Sequence, residues 1–188
     1  MISSEDIETI INSSQAVIFL WKIDEDWTVD FVSENILQFG YDMDEFKDGN
    51  LKYTDIVHPD DIDNLKEKFL EYAKKDKLVG FTRQYRIITK FGEIRWVDER
   101  SLIRRNEIGD IDHIQGIIFD ITESKKAEEA LQINEARLET LLKLNQMSSQ
   151  SVKSIIEFVL EEGLKLTGSE VGYFALVNQS EDALTVHS

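Results

Sequence analysis

The stretch GFTRQYRIITKFGEIRWVDERSLIR, Gly80–Arg104, decides the fold. Its first half, Gly80–Thr89, places Phe81, Arg83, Tyr85 and Ile87 at alternate positions, so they share one face of a strand. Lys90–Glu93, with Gly92, has the chemistry of a tight turn. Ile94–Arg104 then returns as a second strand, so the stretch reads as a β-hairpin. Downstream, a turn centred on Asn106–Asp110 leads to a third strand, Asp112–Ile121 (DHIQGIIFDI), and the three are expected to form a meander.

Upstream, Pro59 follows His58 and precedes Asp60 and Asp61. Proline in a first helical turn loses no needed N–H, and carboxylates suit the positive end of the helix dipole. A helix is expected from about 61 to 75, with Ile62, Leu65, Phe69 and Tyr72 as its apolar stripe. Asn35–Tyr41 and Asp44–Asp48 read as short helical pieces broken by Gly40 and Gly49. Ala16–Ile23 and Trp27–Ser33 read as two strands with Asp24–Asp26 as the turn between them, and residues 1–15 as an amphipathic helix.

From Thr122 the pattern becomes helical. Thr122 reads as the N-cap, with Glu123 in the first turn. Ala127, Leu131, Asn134, Leu138, Leu141 and Asn145 keep four–three spacing, a heptad seam with two polar interruptions. Val152–Leu166 is a second amphipathic helix closed by Gly168. Val171–Val177 reads as a buried strand, and Ala183–Val186 as the start of another.

The composition is that of an ordinary globular chain: 188 residues, 41% hydrophobic and 31% charged. The formal charge of −16 argues against nucleic-acid and membrane-surface partners. No run approaches ~20 apolar residues, so no membrane insertion is expected. Glu5, Asp6 and Glu8 near the start are unlike a secretory signal, and the expected location is the cytoplasm. With no cysteine, disulfides, thiolate metal sites, cysteine nucleophiles and cysteinyl cofactor adducts are excluded. His58, His113 and His187 lack metal-site spacing, so no metal is expected. No Ser-His-Asp signature, nucleophile elbow or phosphate loop is present, and the chain is not expected to be an enzyme by itself.

Five segments in order resemble the PAS family: the Ala16–Ile23 strand, DFVSENILQFGY (Asp30–Tyr41), YTDIVHPDD (Tyr53–Asp61), RQYRIITKFGEIRWV (Arg83–Val97) and GIIFDITE (Gly116–Glu123). The resemblance implies an α+β fold: a five-stranded antiparallel sheet flanked by helices, over residues 16–123. A long linker helix, 124–150, would follow. Residues 151–188, with LTGSEVGYFALVN (Leu166–Asn178), resemble the opening of a GAF domain, a partial second α/β segment. PAS–helix–GAF order is similar to the input regions of sensor histidine kinases. The implied function is sensory, with a homodimer through the linker helix as the expected assembly. The alternative is a constitutive PAS interaction scaffold that binds no ligand.

The apolar residues Phe19, Trp21, Phe31, Ile36, Phe39, Ile56, Phe69, Tyr85, Trp96 and Ile117 read first as packing core. The resemblance implies that they could also line a small-molecule cavity between sheet and helices. His58, Pro59, Asp60 and Asp61 read as a loop-and-cap motif rather than as a haem ligand, phosphoacceptor or base. In haem-binding relatives the ligand lies on the long helix, which here has no histidine. Haem and noncovalent flavin are not indicated, and the cofactor is unknown. Asp120, Ile121 and Thr122, where the last strand meets the linker, are expected to relay a signal by fixing the exit direction of the chain.

Overall fold

The computed structural model describes residues 3–22, 27–74, 80–177 and 184–187. The chain divides into two compact units, Met1–Lys125 and Lys126–Ser188. The turn expected at Asp24–Asp26 and the end of the helix expected at Lys75 lie outside the described residues.

The first unit opens with helix α1 (Ser4–Ser13), capped by Ser3, whose hydroxyl accepts from the Asp6 backbone N–H at 3.1 Å. Strands β1 (Val17–Lys22) and β2 (Val29–Val32) follow. A 3-10 helix, Glu34–Phe39, then leads into the short helices α2 (Met43–Phe46) and α3 (Tyr53–Ile56) and the longer α4 (Pro59–Ala73). Strands β3 (Gly80–Ile88), β4 (Ile94–Arg105) and β5 (Ile111–Asp120) complete the unit. All pairings are antiparallel, and the sheet order is β2-β1-β5-β4-β3. This is the α+β, five-stranded antiparallel architecture expected from the sequence. Strand β1 is interior to the sheet, paired with β2 on one side and with the middle strand β5 on the other, in a register that runs from Val17↔Ile118 to Lys22↔His113.

Local chemistry sets these bounds. The two hairpin turns of the meander place Gly92 (φ 83°) and Gly109 (φ 90°) in left-handed backbone, where a side chain would be strained. Asn35 donates from its amide to the carbonyls of Ile11 (2.8 Å), Ser14 (3.0 Å) and Ala16 (2.7 Å), which fastens the end of α1 to the sheet's entry. The α4 stripe packs as its spacing predicts: Leu65 and Phe69 are buried, and Ile62 and Tyr72 lean on the core at its margin.

One face of the sheet is covered by the helices. Val17, Phe19 and Trp21 of β1, Ile114 and Ile118 of β5, Val97 and Ile103 of β4, and Phe81, Tyr85 and Ile87 of β3 point into that core. Phe31 and Ile117 do not. They are 51% and 40% exposed and line a shallow hollow of about 480 Å³ on the other face, with Ile18, Leu20 and Leu102. Trp96 is likewise on that outer face, paired in register with Arg86 while its neighbour Val97 is fully buried. Pairing register decides all three of these expected interior positions: strand alternation turns Trp96 and Ile117 outward, and at Phe31, where a register shift breaks the alternation of β2, pairing with Leu20 does the same.

In the second unit α5 (Thr122–Gln146, begun in the first unit) ends in a 3-10 turn at Met147–Ser149. Helix α6 (Val152–Thr167) is capped by Ser151 and stopped by Gly168 at φ 63°. Strands β6 (Phe174–Val177) and β7 (Leu184–His187) pair antiparallel. The strand is shorter than expected: Val171 and Tyr173, 83% and 73% exposed, precede it.

Gly116 is a point of close approach. A Cβ built there would lie 2.3 Å from two ring atoms of Trp21 and 2.7 Å from the Ser101 hydroxyl. Gly116→Ala is therefore expected to destabilise the first unit by about 1–3 kcal/mol through overpacking. Urea melts of the single variant and of Gly116→Ala with Trp21→Leu check this. An equal loss in both would show that the Trp21 ring is not what the methyl meets.

Candidate functional site

Polar side chains occupy two places that the apolar pattern does not explain: the interior of the sheet–helix core, and the junction where β5 becomes α5.

In the core, strand parity turns Arg83 of β3 and Glu99 and Ser101 of β4 inward. The side chains of Arg83 and Glu99 are 5% and 0% exposed. One guanidinium nitrogen, Nη2, donates to both carboxylate oxygens at 2.7 and 2.8 Å, and Nη1 donates to the backbone carbonyl of Leu65 in α4 at 3.0 Å. Ser101 donates its hydroxyl to Glu99. Beside this pair the Tyr53 and Tyr85 hydroxyls are hydrogen-bonded to each other. Burial, and then the Glu99 charge, hold both phenols well above their ordinary pKa, so both stay neutral. Aromatic rings close the cluster. Tyr53 packs edge-on to Phe19 (5.0 Å) and Trp21 (4.9 Å), and Trp27 lies 5.5 Å from the Arg83 guanidinium. Among the described residues, two donors in this cluster, Arg83 Nε and Trp21 Nε1, meet no hydrogen-bond acceptor.

At the junction the last ladder pair is Val97↔Asp120. The chain then prolongs the ladder by other means. The Ile121 N–H donates to the Trp96 carbonyl (2.8 Å), and the Trp96 N–H donates to the Thr122 hydroxyl (2.9 Å). Asp120 accepts from the Thr122 N–H at 2.8 Å and lies 3.4 Å from Arg95. The expectation that Thr122 is the N-cap is thus corrected. Thr122 is the first helical residue, Ile121 occupies the cap, and the capping carboxylate is Asp120. The Thr122 hydroxyl serves strand β4 instead, because the Trp96 N–H faces the β5 side just where β5 ends and would otherwise lack a partner.

The Trp96 ring extends this junction across the outer face. The Arg86 guanidinium carbon and Lys125 Nζ lie 5.9 and 5.8 Å from its centroid, within cation–π reach. Arg86 in turn grips Asp61 of the helix α4 start: Nη2–Oδ1 is 2.6 Å, and Asp61 Oδ2 accepts from Arg86 Nε (3.0 Å) and N (2.8 Å). Those Arg86 hydrogen bonds hold the Asp61 carboxyl below its usual pKa. His58 is the N-cap of α4, with Nδ1 accepting from the Asp60 N–H at 3.3 Å, and Pro59 opens the helix.

His113 lies at the other end of β5. Its Nε2 is 2.8 Å from Asp30, and its Nδ1 is 2.9 Å from Asp112 at ion-pair distance without hydrogen-bond alignment. Among the described residues no group of three or more His, Cys, Asp or Glu is arranged to hold a metal ion. No described helix is long and apolar enough to cross a membrane.

Of the residues singled out from the sequence, Phe19, Trp21, Ile36, Phe39, Ile56, Phe69 and Tyr85 are brought into the core. Asp120, Ile121 and Thr122 meet β4 at the junction. The reading passed over Glu99, Ser101, Tyr53 and Trp27 as site residues, and placed Arg83 on the apolar face without a role. A charge at an inward-parity strand position was the available signal.

Comparison with known proteins places this geometry in a class. Residues 29–118 match the PAS fold family, so this segment is a PAS domain. The chain is 46% identical over 129 residues to the methyl sulfide methyltransferase-associated sensor of Methanosarcina acetivorans, covering 69% of this chain and 13% of that protein. It is 26% identical over 125 residues to the sensor protein FixL of Bradyrhizobium diazoefficiens, covering 65% and 24%. The chain thus spans at most a quarter of either curated relative. Among solved structures, a sensory box histidine kinase/response regulator from Burkholderia thailandensis superposes with a TM-score of 0.56 at 22% identity, over 71% of this chain and 97% of that one. The PAS domain of a Colwellia psychrerythraea protein gives 0.54 at 14% identity, over 63% and 97%. These two likenesses concern the fold.

Two outcomes follow. Arg83→Met leaves Glu99 buried without its partner and is expected to lose about 3–5 kcal/mol, whereas Arg83→Met with Glu99→Leu recovers most of it. A double-mutant cycle from urea melts checks this, and additive losses would contradict the pairing. The Asp30 and Asp112 carboxylates raise the His113 pKa above its ordinary 6.5. A raised folded-state pKa gives a contribution fully present below the unfolded value and lost as pH rises through the folded one. Asp30 is pulled the other way. Burial alone would raise its pKa, but Lys22 and His113 outweigh burial and lower it, so its contribution fades only as pH falls toward the acid range. The stability advantage of wild type over His113→Gln should therefore be fully present below the ordinary histidine value of 6.5 and shrink as pH rises above it. A constant difference in urea midpoint would contradict it.

Proposed function

We propose that this chain is the input portion of a sensor: the PAS core takes up a signal, from a small-molecule ligand or a partner, and α5 carries it onward. The observation that supports this most directly is the junction, where two backbone hydrogen bonds to Trp96 and one carboxylate cap tie the start of α5 to the central strands. A shift of β4 against β5 would have to move the first turn of that helix. Both curated relatives bear the name of a sensor, which agrees with this reading.

On this reading α5 pairs with a second copy through the Ala127, Leu131, Asn134, Leu138, Leu141, Asn145 seam. Leu131, Leu138, Leu141 and Leu142 are 58–67% exposed, as a seam between chains requires. Residues 151–188 are the opening of a GAF-like domain, and the whole protein acts in the cytoplasm as a sensor histidine kinase, this portion carrying no catalysis of its own. Two helix-packing states a few kcal/mol apart suffice for such a relay.

Because the chain has no cysteine, one introduced thiol reports the seam. Leu138→Cys is expected to form a disulfide-linked dimer on mild oxidation. Adding Thr122→Val, which removes the Trp96 hydrogen bond, should change the cross-linking rate at least about fivefold. A monomer in light scattering that does not cross-link would sink the dimeric linker. An unchanged rate in the Thr122→Val background would sink the relay.

A further inference from the structure

We infer that the outer face of the sheet binds an unbranched carboxylate of medium chain length, taken up as a free monomer, with its alkyl chain in the apolar hollow and its head group on Arg100. The site lies on the opposite face of the sheet from the helix-covered core and does not depend on the relay reading.

Pairing register gives the hollow its shape. Phe31, Leu20, Gln115 and Leu102 lie side by side across β2, β1, β5 and β4, and Ile18, Ile117 and Arg100 form the adjoining row. All seven line the hollow of about 480 Å³. Three strand spacings make it about 14 Å long, and two rows make it about 7 Å wide. Polar rows bound it on both sides: Lys22, His113 and Arg104 on one, Asp98 and Gln84 on the other. A helix with its side chains is about 10–12 Å across and would rest on those polar rows, whereas a single alkyl chain fits between them. Phe31 and Ile117, half-exposed, are the apolar surface that such a chain would cover.

Charge selects the head group. Arg100 gives Nε to Asp98 at 3.2 Å, and its guanidinium carbon lies 5.5 Å from the Phe119 ring centroid. Among the described residues its Nη1 and Nη2 meet no acceptor, and neither the Gln115 amide nor the Arg104 guanidinium has a polar partner. Lys22 and His113 are answered by Asp30 and Asp112. Asp98 answers one edge of Arg100, so the charge left facing the hollow is positive. One carboxylate can accept from the open Arg100 edge and from the Gln115 amide together. The chain as a whole carries −16, which repels anionic lipid surfaces and makes the monomer, rather than a membrane, the source of the ligand.

The full 188-residue chain, labelled at its Ile and Leu methyl groups, is titrated with decanoate, decanol and decyltrimethylammonium bromide, each below its micelle-forming concentration. Saturable shifts of the Ile117, Leu20 and Leu102 methyls are expected with decanoate, while Ile114 and Ile118, on the core side of β5, stay still. Shortening decanoate to octanoate should weaken binding about fourfold, half the effect of two fully buried methylenes, because one side of the chain stays wet. Arg100→Gln should weaken decanoate about three- to fivefold and leave decanol unchanged. Movement of Ile114 and Ile118 with Ile117 still would place the ligand in the core and overturn the inference. Decanoate binding no more tightly than decanol, or equally to wild type and Arg100→Gln, overturns it as well. So do shifts of the Ile117 and Leu20 methyls on diluting the unliganded chain, which would show that a second copy covers the face. A response to phosphatidylcholine–phosphatidylglycerol vesicles without one to monomeric decanoate would likewise overturn it in favour of a membrane.

Discussion

The buried pairing of Arg83 with Glu99 is the constraint on which the interior depends. A guanidinium and a carboxylate taken out of water are tolerated only when each is fully answered. Here the answer is drawn from three elements: Glu99 and Ser101 on β4, Arg83 on β3, and the Leu65 carbonyl in the middle of α4. The apolar side chains could in principle slide over one another, but this arrangement cannot. It fixes the register of β3 on β4 and the height of α4 over the sheet together. A buried ion pair is a weak source of net stability, and its use here is to specify one packing of helix on sheet. Burial first, and then the Glu99 charge beside them, keeps the adjoining phenols of Tyr53 and Tyr85 neutral.

The same strand, β4, links that interior to the exit of the domain. Glu99 faces the core. Two and three residues earlier, Val97 and Trp96 make the last contacts with β5 and with the chain that leaves it. The Trp96 backbone holds Ile121 and Thr122, while its ring meets Lys125 of α5 on one account and Arg86 on the other. Through Arg86 the contact reaches Asp61 at the start of α4. Helix α4 is therefore attached to β4 twice, once through the core by Arg83 and once over the edge by Arg86. Helix α4 thus touches β4 through contacts on both faces of the sheet, and β4 in turn holds the first turn of α5. Such connectivity is the physical requirement for a domain whose interior and exit helix respond together.

Much of this was legible from residues alone. The Gly80–Arg104 hairpin followed from period-two alternation and Gly92. The start of α4 followed from His58, Pro59 and the two acids after them, and its buried stripe from the spacing of Leu65 and Phe69. The junction was locatable because Thr122 stands where β-type patterning gives way to helical patterning. What hydrophobicity misjudged were Phe31, Trp96 and Ile117, large apolar residues that pairing register turns to the outer face. Thr122 was misjudged for a related reason. Cap chemistry is local, and nothing local shows that a neighbouring strand, distant in sequence, would claim the hydroxyl first.

Local sequence determined the elements, because periodicity, turn residues and helix caps act within a few positions of one another. It determined that the chain resembles a PAS module followed by a long helix. The tertiary structure alone decided which polar residues matter. Arg83 and Glu99 are sixteen positions apart and become partners only once the hairpin closes in register, with Arg83 directly across from Glu99. Tyr53 and Tyr85 meet only when α3 docks on the sheet. Whether a donor such as Trp21 Nε1 finds an acceptor depends on every element packed around it, and no spacing rule along the chain carries that information.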